Sequence, residues 1–438
     1  QTRTFLMFAL LAVAYFLFMA WQKDYAPPPP VAAASASSAA MPLADGSVPG
    51  AIPTTATPTA ASGTAAAIAT DIAHTAQAPS QLITINTDVL HLSVDTRGGS
   101  VVHADLLAYP NAPRTHKAPN PPPTVLLASD DTHYFVAQSG LVSSSDTAPQ
   151  DQPNHQALFQ SAQTAYTLAD GQNELNVDLT WQDAAGLKVT KTYSFKRGSY
   201  VIGVSQRIDN GAAQAWQGNA YHQLLRVEPP KASNWLANYT NPETRSFQGA
   251  AWYTGEKFEK LPLADFKKEK DQLNSQIKGG WAAMLRLYFV TAWIPPAGET
   301  DQYTTQTINP DSAQPRYLIR AVGPTLSVAP GQSLTSQTRL YLGPNVQGTL
   351  DAVAPGLDLT IDYGMFKAIA VPMHWVLSQF HAISKNWGLS IILLVLLIKG
   401  LSWKLTAVQY KSSAKMRKLA PRIQALKERY GDDKQKMQ

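Results

Sequence analysis

Two long apolar runs bracket this chain, and between them the apolar positions alternate. Phe5 to Trp21 and Trp387 to Leu405 are each long enough to cross a bilayer as a helix. In the second run Lys399 follows twelve uncharged residues, which places it about 18 Å along a helix from Trp387. An ammonium at that depth costs roughly 2.5–3.5 kcal/mol on insertion scales. Its helical neighbours are polar. Lys399, Ser402, Thr406, Gln409 and Ser413 follow steps of three and four, within an arc of about 80°. Continued toward the start of the run, the same stripe meets Val395, Ile392 and Gly388. The pattern predicts a wet groove open at one end and closed at the other. The other reading is a lysine near a helix end that snorkels to the closer headgroups.

Ahead of this span, Phe366, Ile369, Ala370, Met373, Val376, Leu377, Phe380 and Ile383 share one helical face, with Lys367, His374, Ser378 and His381 outside it. Such a helix, over residues 363–384, suits the outer membrane interface. Pro372 should break or kink it. A buried core helix of the preceding domain is the alternative. Asp362-Tyr363-Gly364 reads as a hinge. Beyond the span, Met416, Leu419, Ile423, Leu426, Tyr430 and Met437 form an a/d seam, which predicts an antiparallel helical mate C-terminal to Gln438.

Residues 26–79 are rich in Ala, Pro, Ser and Thr and open with four prolines, the composition of a tether. From about residue 80 to 362 the pattern is that of strands. Leu90, Leu92 and Val94 alternate before the turn Arg97-Gly98-Gly99. Leu175, Val177, Leu179 and Trp181 alternate up to a turn at Asp183 to Gly186. Leu187, Val189, Tyr193 and Phe195 run to a turn at Lys196 to Ser199. Further strands are expected at Tyr317 to Ala321 and Ser333 to Leu342, either side of Ala329-Pro330-Gly331. The fold class is therefore membrane helices plus one large antiparallel β-sandwich.

Charge orients the whole. From Lys399 to Gln438 eleven Lys and Arg face three acids, net +8, in a chain of +5. A basic flank marks the cytoplasmic side, so the β-domain lies outside and both termini inside. Phe5 to Trp21 reads as an anchor over residues 1–25. The small residues Ala32 to Ser37 would suit signal-peptide cleavage, but the run exceeds a usual h-region and interfacial Trp21 and Tyr25 follow it.

The exported domain holds little chemistry. Cysteine is absent, which excludes thiol catalysis and Cys-bound zinc. There is no phosphate loop, no H-E-x-x-H and no G-x-S-x-G. His103, His116, His133, His155 and His222 are scattered, and Asp130-Asp131 sits in turn-like sequence. The basic excess is juxtamembrane and lacks interleaved aromatics, so anionic lipid or a ribosome surface suits it better than nucleic acid as a specific ligand.

Four segments carry a resemblance. GGWAAMLRLYFVTAWIPP (Gly279 to Pro296), YLGPNVQGTLDAVAPGLDLTIDYG (Tyr341 to Gly364), NWGLSII (Asn386 to Ile392) and AKMRKLAPRIQALKERYGDDKQ (Ala414 to Gln435) resemble the bacterial membrane protein insertases of the YidC type, in their Gram-negative form. The resemblance covers nearly the whole chain. It implies an inner-membrane, multi-pass protein with a periplasmic, mutarotase-like β-supersandwich, an interfacial helix, a core span (385–408) and a cytoplasmic hairpin beginning within 409–438. It implies no cofactor, no metal and no enzymatic activity. It further implies that Lys399, Ser402, Thr406 and Gln409 line a groove for nascent membrane proteins. The implied partners are the Sec translocon with its accessory subunits, the ribosome and signal-recognition-particle targeting. Lys399 stands where many relatives carry Arg, and Trp403-Lys404 where they have an aromatic residue followed by Pro. Two rivals are a membrane-tethered carbohydrate-active or carbohydrate-binding protein and a scaffold, each acting through its β-domain.

Overall fold

Period-two burial organises the chain between its apolar runs. The computed structural model describes residues 79–112, 114, 119–143, 152–230, 246–268, 272–346, 348–361 and 366–430. The first apolar run, the tether through residue 78, the Asp362-Tyr363-Gly364 segment, His116 and Met437 lie outside these residues. Nineteen strands occur among those described. They begin with β1 (Leu82–Asn86), β2 (Leu90–Asp95), β3 (Ser100–Pro110), β4 (Pro123–Leu127), β5 (Phe135–Ser143), β6 (Gln160–Ser161), β7 (Ala165–Thr167), β8 (Glu174–Gln182), β9 (Leu187–Lys196) and β10 (Val201–Asn210). They continue with β11 (Trp216–Val227), β12 (Gly249–Tyr253), β13 (Phe258–Pro262), β14 (Asn274–Lys278), β15 (Trp281–Leu285), β16 (Phe289–Ile294), β17 (Thr300–Ile308), β18 (Arg316–Val328) and β19 (Ser333–Pro344).

The strands form two sheets. One has ten strands in the order β14-β17-β18-β11-β5-β3-β2-β1-β7, with β4 also on β3. The other has nine, in the order β13-β12-β15-β16-β19-β10-β9-β8-β6. The pairings are antiparallel apart from β1 with β7. Inner faces of both sheets build the main core, with Leu92, Val101 and Leu224 from one and Leu179, Val204 and Trp293 from the other.

The alternating segments found in sequence are strands here. Leu90, Leu92 and Val94 point inward on β2, and Val177, Leu179 and Trp181 on β8. The β8–β9 and β9–β10 connections are hairpins. The turn at Ala329-Pro330-Gly331 joins strands of different sheets, β18 in the first and β19 in the second. Gly331 takes φ 71° there, a left-handed conformation that glycine adopts without a Cβ clash.

The hairpin β15–β16 shows why its sequence is apolar at almost every position. Ala282, Met284 and Trp293 enter the main core. Trp281, Ala283, Leu285, Val290, Ala292 and Ile294 face the other way, against Leu350 and Leu357. Those two belong to a short helix, α1 (Leu350–Val353), and the 3-10 turn Leu357–Thr360 that follows it. The Trp281 indole donates to the Pro355 carbonyl at 3.1 Å. Both faces of the hairpin are covered, so its pattern is continuous and not alternating.

One inward position breaks the apolar rule. In the series Leu187, Val189, Lys191, Tyr193 and Phe195 on β9, Lys191 is fully buried. Its ammonium donates to the Gly98 carbonyl at 2.6 Å and the Ser139 carbonyl at 2.8 Å, and stands 5.1 Å from the centre of the Phe159 ring. Tyr193 donates to the Gly99 carbonyl beside it. Two residues of one sheet thus grip the β2–β3 turn of the other. Gly98 must stay glycine, because φ is 69° and a Cβ would lie 2.2 Å from the His155 carbonyl oxygen.

Burial pushes the Lys191 ammonium down to about 7. An unfolded chain holds that proton until about 10.4. Between those values the unfolded state binds more protons, so stability rises with pH. Lys191→Met should abolish this rise. Urea unfolding of the detergent-solubilised chain, followed by tryptophan fluorescence from pH 6.5 to 10.5, measures it; an unchanged pH slope in the variant refutes the assignment.

Candidate functional site

Two helices follow the β-domain, α2 (Lys367–Ser384) and α3 (Trp387–Tyr430). Of the two outcomes expected at Pro372, a break or a kink, the break does not occur: α2 continues through it. It lies six residues from the helix start, so it removes one backbone hydrogen bond and the remaining turns carry the helix. The described side chains of α2 are exposed or half-buried, which disfavours a core helix of the β-domain. Phe366, Ile369 and Met373 are exposed, whereas Val376, Leu377 and Phe380 are half-buried.

The corner between the helices is tightly bonded. Lys385 takes a left-handed φ of 51°, and its N–H donates to the His381 carbonyl at 2.8 Å. Asn386 caps α3 by accepting from the Leu389 N–H at 3.2 Å. Ser390 is fully buried, donates to the Asn386 carbonyl at 2.7 Å and lies 2.8 Å from the Ser384 hydroxyl. The His381 ring stacks on Trp387 with centres 3.8 Å apart.

α3 is one unbroken helix of 44 residues. That is about 66 Å of helix, twice the hydrocarbon thickness. Its segment Trp387–Pro421 is long and apolar enough to cross a membrane. Lys399, Thr406 and Gln409 are exposed and Ser402 is half-buried. The hydroxyls turn back on the helix: Ser402 donates to the Lys399 carbonyl at 3.3 Å and Thr406 to the Ser402 carbonyl at 2.9 Å. Their protons are therefore satisfied within α3, and their oxygens remain acceptors. Among the described residues Lys399 and Gln409 have no such internal solution. Met416 and Leu419 of the seam are exposed. At Ile423, Leu426 and Tyr430 the backbone is helical.

In the β-domain the candidate acids and histidines serve structure. Asp130 accepts from the Thr132 and His133 N–H groups at 3.1 and 2.8 Å. Partial burial opposes ionisation, but these hydrogen bonds and the Thr132 hydroxyl hold its carboxyl below the usual range. His103 pairs with Asp105 at 3.1 Å, and His155 with the Tyr221 hydroxyl at 2.5 Å. His222 is buried against Trp293 with no partner for either ring nitrogen. Burial and the nearby Lys191 push it down to about 3, so it is neutral. Among the described residues no group of three His, Cys, Asp or Glu could hold a metal. A cleft of about 970 Å³ at the β15–β16 end is lined by Tyr109, Phe135, Arg226, Arg286 and Tyr288, with Asp130 its one acid among the described residues. Lys191 is absent from the sequence expectations, although a lysine at an inward position of an alternating strand marks it, and His222 figures there only as one of five scattered histidines.

The YidC periplasmic domain family matches residues 82–376, and the 60Kd inner membrane protein family matches residues 379–438. The membrane protein insertase YidC of Thioalkalivibrio sulfidiphilus is 38% identical over 99% of this chain, which covers 75% of that protein. The chain belongs to the YidC membrane protein insertase family. A YidC from Methylococcus capsulatus is 40% identical over 82% of the chain, which covers 63% of that relative. Among solved structures, a galactose mutarotase-like protein from Lactobacillus casei aligns with 60% of the chain and all of its own, at 11% identity and a TM-score of 0.34. That score is too low to argue from. Membership of the YidC family identifies an inner-membrane protein of the insertase and chaperone class, which does no covalent chemistry and works with the machinery of membrane-protein biogenesis.

The strained corner makes its own prediction. A non-glycine residue at left-handed φ costs about 1 kcal/mol. Lys385→Gly should relieve it and slow amide exchange at Lys385 to Ser390 by roughly fivefold, whereas Lys385→Val should speed it. Hydrogen exchange in nanodiscs, read by mass spectrometry, decides; no difference between the two variants would show the corner is unstrained.

Proposed function

We propose that this chain inserts membrane proteins through a hydrophilic groove on α3, entered from the cytoplasm. The observation that carries the reading is the polar stripe of exposed Lys399, Thr406 and Gln409 with half-buried Ser402, which gives way to Val395, Ile392 and Gly388 at its other end. Basic residues beyond the span mark that open end as cytoplasmic. A hydrophilic substrate segment enters the stripe, where water and Lys399 offset its desolvation. Its apolar segment then moves into lipid beside the helix, driven by hydrophobic burial and aided by the membrane potential. Lys399 attracts acidic residues of the translocated tail as a compact point charge with three donors. The Ser402 and Thr406 oxygens accept hydrogen bonds from substrate N–H groups.

In the same reading, α2 lies in the outer interface with Phe366, Ile369, Met373, Val376, Leu377 and Phe380 toward lipid. Residues 1–25 anchor the chain, 26–79 tether it, 80–362 form the periplasmic domain, 363–384 the interfacial helix, 385–408 the core span, and 409–438 begin a cytoplasmic hairpin on the Met416 to Tyr430 seam. Gln1 and Gln438 both lie on the cytoplasmic side. The partners are nascent membrane proteins, the Sec translocon and its accessory subunits, ribosomes, signal-recognition-particle targeting and anionic lipid.

Lys399→Ala should lower insertion of substrates with acidic tails roughly fivefold, about 1 kcal/mol, and leave neutral-tailed ones within about twofold. Protease protection in proteoliposomes measures both classes. Equal losses would remove the charge role.

A further inference from the structure

The connection from β10 to β11 opens with the chain's only Asn-Gly pair, Asn210-Gly211. That dipeptide loses its side-chain amide more readily than others, because glycine sets no Cβ in the way of its own nitrogen. Here the pair is held from reacting at both ends. Asn210 is buried, and its Nδ2 donates to the Gln214 and Val328 carbonyls, both at 2.8 Å. Its Oδ1 accepts from the Ala212 N–H at 3.0 Å. Its main chain is bonded to the β18–β19 turn: the N–H donates to the Gln332 carbonyl at 3.0 Å, and the carbonyl accepts from the Gly331 N–H at 2.7 Å. The attacking atom is engaged as well, since the Gly211 N–H donates to the Gly186 carbonyl of the β8–β9 turn at 3.0 Å. The same approach requires glycine, because a Cβ at 211 would lie 2.7 Å from that oxygen. One contact between two turns therefore imposes the residue that makes Asn210 labile and keeps it inert.

We propose that Asn210 is a deamidation site gated by the β10–β11 turn, which keeps its amide while the turn lies against Gly186 and loses it once the turn has opened. In the open turn the Gly211 nitrogen attacks the Asn210 Cγ. The N–Cγ bond forms, the Cγ–Nδ2 bond breaks, and ammonia leaves with the proton of the Gly211 N–H. Water then opens the succinimide to aspartate or isoaspartate, so water is the only co-reactant. The change is one-way, and the product does not fit. Asparagine gives two N–H groups to carbonyls, whereas a carboxylate offers acceptors alone. Docking the turn again would bury a negative charge against the Gln214 and Val328 oxygens. Val328 ends β18 of the first sheet and Asn210 ends β10 of the second, so the loss falls on a tie between the sheets. A β-domain that has once opened there is marked and refolds to a less stable state. The inference does not depend on the groove.

The test holds the 438-residue chain in detergent at pH 8 and reads conversion of amide to acid at residue 210 by peptide mass spectrometry. The same chain unfolded in concentrated urea supplies the reference rate. The folded chain should react at least about a hundredfold more slowly, an opening cost of about 2.7 kcal/mol. Low urea should raise the rate before tryptophan fluorescence reports global unfolding. Gly186 takes φ 100°, and a Cβ there would lie 3.2 Å from the Gly211 carbonyl. Gly186→Ala should therefore speed the loss roughly tenfold without urea. Asn210→Asp should raise the unfolded fraction about thirtyfold, about 2 kcal/mol. Equal rates in the folded and unfolded chain, a rate that low urea leaves unchanged, or an Asn210→Asp chain as stable as its parent would each overturn the proposal.

Discussion

An ammonium cannot be left dry in hydrocarbon, and that constraint sets how α3 can be turned in its membrane. Ser402 and Thr406 satisfy their own protons on the helix backbone, so lipid could tolerate them. Lys399 and Gln409 have no equivalent, and both lie on the same arc. Whatever surrounds that arc must supply water or acceptors. The opposite side of the span, with Leu393, Leu397 and Leu401, can face acyl chains without penalty.

The β-domain meets a similar demand in a different way. Lys191 is buried between two sheets, with main-chain carbonyls in place of water. The Gly98 oxygen comes from the β2–β3 turn and the Ser139 oxygen from β5, both of the first sheet, whereas Lys191 stands on β9 of the second, so its amino group ties the sheets together. One cation is held by solid protein, and the other stands on an exposed helix face. The same side-chain chemistry is therefore enclosed in the domain and open on the helix.

Strands with one covered face were legible from sequence: β2, β8 and β9 appear where Leu90, Leu175 and Leu187 begin their alternation. Strands covered on both sides were read unevenly: Tyr317 to Ala321 of β18 was expected as a strand, but β11 was not. β11, from Trp216 to Val227, is buried at nearly every position, including His222, Gln223 and Arg226, so no alternation marks it. Sheet assignment was also hidden, because Ala329-Pro330-Gly331 reads as an ordinary turn whether it closes a hairpin or crosses between layers. On α3 the polar stripe follows from spacing alone, since a helix maps sequence onto faces directly. Which hydroxyls bond back to the backbone does not, because that depends on rotamers.

The continuity of α3 has a mechanical side. α3 runs from Trp387 to Tyr430 with Pro421 inside it, so its stretch as far as Ala420 behaves as a stiff rod pivoting where the lipid grips it. A lean of about 10° in the buried portion would sweep Ala420 sideways by about 3 Å over the roughly 18 Å that project beyond residue 408. Movement inside the bilayer and displacement of the distal arm are then a single motion, so whatever docks at the tip can feel, or impose, the attitude of the span.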